Sequence, residues 1–147
     1  MFKNIFKKLF NNPNNSISFK QGFDLTELPI ITLNQGEKKF NLLLDTGSND
    51  SIIDKNVLKH LEYTPLKEKS FLMGLEGNKQ EVCMCSITFS HKDKDYPYSY
   101  IIRDMSEAFG HIKRDCGVNL HGIIGAKFFN KFKYVLDFDE LIAYSKV

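Results

Sequence analysis

A surplus of either charge is almost missing from this sequence, with 20 lysines and arginines facing 18 aspartates and glutamates, leaving +2 over 147 residues. Such a balance excludes the broad basic footprint of a nucleic-acid-binding domain. Cysteine is scarce too, at Cys83, Cys85 and Cys116. An odd set cannot form a closed disulfide framework, and a Cys-x-Cys pair on one strand does not easily bridge itself. Free thiols in a reducing, cytoplasmic setting are therefore expected. No Cys-x-x-Cys knuckle joins them to His111 or His121, so zinc lacks its usual ligand spacing and neither metal nor cofactor is expected. Nothing approaches the apolar length of a transmembrane helix, and the N-terminus lacks the apolar core of a secretory signal. "GLEGNK" lacks the spacing of a phosphate loop. None of the four histidines sits in a recognisable setting for a nucleophile triad.

What is present fits one domain with one core. Residues 1–18 read as an N-terminal arm and linker, and 19–147 as the domain proper. In the arm, Phe2, Ile5, Phe6, Leu9 and Phe10 recur at helical spacing with Lys3, Lys7 and Lys8 between them, a basic amphipathic pattern. It suits a membrane-surface or targeting segment in residues 2–10, or equally an arm packed on its own domain or a partner. "NNPNNS" then reads as the linker.

Beyond it the apolar residues alternate. Ile31 and Leu33, then Phe40, Leu42 and Leu44, predict a hairpin turning between Asn34 and Lys38. Asp54 reads as an N-cap for a short helix carrying Val57, Leu58 and Leu61. "SFLMGLEGNKQEVCMCSITFS" predicts a long hairpin with a glycine-bearing tip, and "YPYSYIIR" another strand. Residues 103–119 offer one helical turn from Ser106 and no sustained period. A short strand ending at Gly125, a helix through Phe128, Phe129 and Phe132, and a hairpin turning at Asp139-Glu140 complete the chain. The fold class predicted is mostly β, a closed barrel or sandwich with one or two short helices. Asp137 and Asp139 read as turn residues rather than paired catalysts.

One stretch stands apart: "FNLLLDTGSNDSIID", where Asp45-Thr46-Gly47 is set between two apolar segments. A solvent loop would explain the polar residues but not the apolar walls. With Leu42-Leu43-Leu44 leading into Asp45, and Ile123-Ile124-Gly125 preceding a helix further on, the sequence resembles the retropepsin-like aspartic proteases over roughly residues 22–145. The resemblance implies a closed barrel of the acid-protease type and a flap hairpin in "FLMGLEGNKQEV", with Met73, Gly74, Leu75 and Gly77 at the substrate. Asp45 is implied to be the catalytic carboxylate, with the Ile123-Ile124-Gly125 strand under the site. Thr46 is implied to reach across a two-fold axis.

The chemistry suits those residue types. Peptide hydrolysis by water alone needs one carboxylate as base and a second, protonated, to polarise the carbonyl. Only one Asp-Thr-Gly exists here, so a homodimer is expected to supply the pair. Gly47 leaves room for substrate and for backbone N–H groups to approach the carboxylate. Ser48 is expected to donate its hydroxyl to Asp45, favouring ionisation and an acidic pH optimum. The expected activity is that of an aspartic endopeptidase on extended peptide or protein substrates. Two alternatives stand beside it: an inactive peptide-binding or scaffolding dimer of the same fold, and a β-rich membrane-surface adaptor.

Overall fold

The alternating apolar residues build strands almost wherever they occur, and the turns fall where glycine or charge interrupts them. The computed structural model describes residues 13–73 and 77–147. In chain order the elements are β1 (Ile17–Ser18), α1 (Lys20–Thr26), β2 (Ile30–Gln35), β3 (Lys38–Leu44), β4 (Ile52–Asp54), a 3₁₀ turn (Lys55–His60), β5 (Thr64–Met73) and β6 (Lys79–His91). After these come β7 (Lys94–Arg103), α2 (Ser106–Cys116), β8 (Gly122–Ile124), α3 (Ala126–Lys131), β9 (Tyr134–Asp137) and β10 (Ile142–Ser145).

The larger sheet has the order β2-β3-β8-β4-β7-β6-β5, and Asn34 of β2 also pairs with Ser90 of β6. That pairing closes the sheet into a barrel and leaves β5 outside, bonded to β6 alone. The expected fold class, mostly β and closed, is what the chain adopts. A smaller sheet, β1-β10-β9, joins the two ends of the domain. Ile17 in it is 4% exposed, so packing starts two residues before the boundary expected at 19.

β3 explains the triple leucine. Phe40, Leu42 and Leu44 point into the barrel core, while Leu43 on the other face packs with Ile30, Phe109, Leu120 and Ile123 beneath α2. Both faces of this strand are covered, so its end reads as a continuous apolar run rather than an alternation. β8 is built alike, with Ile124 in the barrel core and Ile123 under α2.

The helices depart from expectation. The 3₁₀ turn takes the place of the short helix expected after Asp54, whose side chain does accept from Asn56 N. α1 was not expected, because Gly22 interrupts it. A Cβ there would lie 2.8 Å from Ile30 Cβ, so glycine is what lets the helix lie directly on β2. α2 is a full helix of 11 residues where one turn was expected. Met105, Phe109 and Ile112 supply its buried stripe. Met105 N donates to Asp54 Oδ1 at 3.1 Å and Ser106 N to Asp104 Oδ1 at 3.0 Å, satisfying amides at the start of the helix. Gly117, at φ 75°, closes its end.

Candidate active site

Asp45 stands one residue beyond β3, whose last residue Leu44 pairs in parallel register with Ile124 of β8. Its amide carries the ladder one step further, donating to Ile124 O at 2.9 Å. There the chain turns: Ser48 N donates to Asp45 O at 3.2 Å and Gly47 N to Asp45 Oδ1 at 2.9 Å. The carboxylate is half-buried, with Thr46 and Gly47 exposed beside it. A Cβ on Gly47 would sit 3.3 Å from Asp45 Oδ1, so glycine eases the close approach of its own amide. Among the described residues only that amide binds the carboxylate, and nothing binds the Thr46 hydroxyl.

The hydroxyl of Ser48 does not reach Asp45. It donates to Asp50 O at 2.7 Å, bracing the loop instead of tuning the carboxylate. The correction has a geometric cause: the tight turn already presents the Gly47 amide to Oδ1, and the Ser48 hydroxyl is taken up by the Asp50 carbonyl.

A second segment anchors this loop. Ala126 N donates to Ser48 O at 2.7 Å and Lys127 N to Asn49 O at 3.1 Å, so the first amides of α3 are satisfied by the Asp45 loop. Ser51, 2% exposed, accepts from Gly125 N at 3.0 Å through its Oγ, while its carbonyl accepts from Ile101 N at 2.9 Å. Lys127 Nζ meets Asp50 Oδ1 at 2.9 Å, and that bond raises the lysine pKa above its ordinary value. A Cβ on Gly125 would come within 2.4 Å of Asp50 O and 2.7 Å of Ser48 O. The Ile123-Ile124-Gly125 strand therefore lies directly against the Asp45 loop. Asp50, Ser51 and Lys127 are the additions that sequence reasoning missed. Their partners are far away in the chain, and no local pattern marks them.

The expected flap is only partly described. β5 and β6 pair out to Met73 opposite Lys79, with a register shift between Pro65 and Lys69. Gly77 follows at φ 81° in open space. Gly74 and Leu75 lie outside the described residues. Phe71 is 58% exposed on this hairpin.

The remaining candidates lie elsewhere. Asp137 Oδ1 accepts from Asp139 N and Glu140 N, a turn as read. His111 meets Arg114. His121 accepts from Asn41 N at its Nδ1 (2.8 Å), and burial holds its pKa below the ordinary value. Cys83, Cys85 and Cys116 are free, and burial pushes the Cys85 thiol up to about 11. Among the described residues no group of three or more histidine, cysteine or acidic side chains is placed to hold a metal ion. No helix among them is long and apolar enough to cross a membrane.

No protein-family model matches the sequence, and no curated protein matches it. Among solved structures the chain is similar to the crystal structure of the retroviral protease-like domain of Ddi1 from Leishmania major. The TM-score is 0.53 at 10% identity, over 81% of this chain and 88% of that one. At such low identity the likeness speaks for architecture alone, and what it establishes is a retropepsin-like fold.

Proposed function

We propose that two copies of this chain form an aspartic endopeptidase, with the Asp45 carboxylates side by side across a two-fold axis. The observation that carries the reading is the setting of Asp45: half-buried at the end of a core strand and bound by a single amide from its own turn. A structural carboxylate at such a position would be expected to have its remaining oxygen occupied. The neighbouring Thr46 hydroxyl, exposed and unbound, is available to a second copy.

In this reading one carboxylate takes a proton from water while the other, protonated, donates to the carbonyl oxygen of the scissile bond. The water oxygen bonds to the carbonyl carbon. As the tetrahedral centre collapses, the carbon–nitrogen bond breaks and the leaving nitrogen takes up the proton that the first carboxylate removed from water. One hydroxyl of the tetrahedral centre returns its proton to the second carboxylate as the carbonyl re-forms. Like charges that close cannot both ionise, so the pair holds one proton across the working range. The substrate is an extended peptide lying between the Asp45 loops and the β5–β6 hairpins.

The test is cleavage of casein from acidic to neutral pH by wild type and Asp45→Asn, with and without pepstatin, alongside sedimentation to count subunits. Activity on the acidic side that disappears in the variant and under pepstatin, from a dimer, is the expected result. A folded, dimeric wild type that cleaves nothing would favour the peptide-binding alternative. Cleavage that survives in Asp45→Asn would remove the assignment.

A further inference from the structure

We propose that α2 is the wall beside the scissile bond, and that it admits aliphatic substrate side chains of leucine size or smaller while turning aromatic rings away. The inference rests on the proposed endopeptidase and gives residues 104–119 a part in it.

Strand alternation places the helix. Leu42 and Leu44 point into the barrel core and Leu43 points out of it. Asp45, whose amide carries the same ladder on to Ile124 O, stands on the Leu43 face. Leu43 pairs directly with Ile123, so these two are the first side chains beside Asp45 on that face, about 7 Å along the strand. α2 lies on them. Phe109, 6% exposed, forms a buried cluster with Ile30 and Leu120, and Leu43, Ile123, Met105 and Ile112 pack against it. On the other side the row continues as Ile52 opposite Ile123 and Ile101 opposite Ile52, both buried. Every member of the row is aliphatic.

A substrate residue whose carbonyl is attacked carries its side chain on the atom bonded to that carbonyl carbon. With the carbonyl over Asp45, the side chain falls on Leu43 and Ile123 beside the helix. An aliphatic floor selects an apolar side chain. The helix sets its size, because Phe109 and its neighbours already fill the space against that pair, and only the half-buried flanks of Leu43, Ile123, Met105 and Ile112 are left. Nor can the wall swing away. At its start Met105 N donates to Asp54 Oδ1 at 3.1 Å, and Asn56 Nδ2 to Asp104 Oδ1 at 2.9 Å. Past its end Asn41 Nδ2 donates to Asn119 O at 2.8 Å. Held at both ends, the helix makes no room for a larger ring, and overfilling packed apolar space is disfavoured. In a two-fold pair each copy brings its own α2, so the same rule governs the residues on both sides of the cut.

Casein is digested with wild type, Asp45→Asn, M105A/I112A and I112A alone, and the residues flanking each cut are read by mass spectrometry, with circular dichroism confirming each fold. Wild type is expected to cut between aliphatic residues and rarely beside phenylalanine or tyrosine. In M105A/I112A the share of cuts flanked by an aromatic ring should rise about tenfold, the scale on which an apolar pocket discriminates by size. I112A alone should move it the same way by less. The share is a ratio within one digest, so a variant that folds less completely does not alter it. Cuts flanked mainly by aromatic rings in wild type, or a share unmoved in both variants, would overturn the wall and leave the endopeptidase standing so long as Asp45→Asn is inactive. Cleavage absent from wild type, or surviving in Asp45→Asn, would remove the endopeptidase and this inference with it.

Discussion

The loop that carries Asp45 and the β5–β6 hairpin are built on opposite plans. Residues 45–51 are fixed by β8 and α3 through backbone bonds to Ile124, Ala126 and Lys127 and through the buried Ser51 hydroxyl. By contrast, β5 pairs with β6 alone, carries a register shift, and joins its partner by the exposed pair Lys69–Glu81. The contrast is what the proposed function asks of each part. A carboxylate pair works only if its geometry is over-determined, whereas a strand that closes over a substrate must open at little cost.

Gly125→Ala should break the rigid half most severely. Its backbone is extended at φ −102°, so the obstacle is purely one of space, with carbonyl oxygens 2.4 and 2.7 Å from the new methyl. A stability loss of about 3 kcal/mol is expected by urea titration. Cleavage should fall by more than about 100-fold, as a displaced site would require. Normal stability with normal turnover would show that the loop is not held from β8.

Ser51→Ala sharpens the same point with less disruption. It leaves the Gly125 amide buried without its acceptor, a loss of roughly 1–3 kcal/mol in unfolding free energy. An unchanged urea midpoint would mean that the hydroxyl bond contributes nothing.

Smaller still is the effect of pH at the other end of β8. His121 has its pKa lowered from 6.5 in the fold, chiefly by burial. Below 6.5 the unfolded chain therefore takes up a proton more readily than the folded one. Stability present above that pH should drain away as pH falls towards the folded value. In His121→Asn, whose amide oxygen can take the same bond from Asn41, the slope should flatten. A wild type that holds its urea midpoint on acidification would contradict this. Since the proposed chemistry favours acid, activity and stability should pull in opposite directions there.

The hairpin should respond least. Lys69→Ala removes an exposed ion pair, and the urea midpoint should stay where it is. A marked shift would mean that the hairpin is not the loosely held half.

Legibility follows the same division. Asp45 could be placed from sequence because its signal is local: an apolar strand, a turn triplet, and a second apolar strand ending in glycine. Ser51 could not, since its meaning lies in an amide 74 residues away. The role expected for the Ser48 hydroxyl failed because the Asp50 main-chain carbonyl competes with the Asp45 carboxylate for it, and spacing does not choose between them. α1 was hidden by Gly22, which looks like a breaker until the close approach to Ile30 is seen. In α2 the stripe of Met105, Phe109 and Ile112 was present but diluted by Gly110 and charged neighbours. Its amides are satisfied partly from Asp54 on another strand, which no reading of residues 103–119 could supply.

The parallel pairing of β3 with β8 also sets an order of events. Asp45 has no carbonyl to bond until Gly122–Ile124 has been synthesised and inserted between β3 and β4. Such a contact between distant parts of the chain forms late, because loop closure must precede it. During translation the carboxylate is therefore exposed on the nascent chain long before the frame around it exists. Any activity that rests on Asp45 must begin only once residues 122–124 have emerged and the barrel has closed.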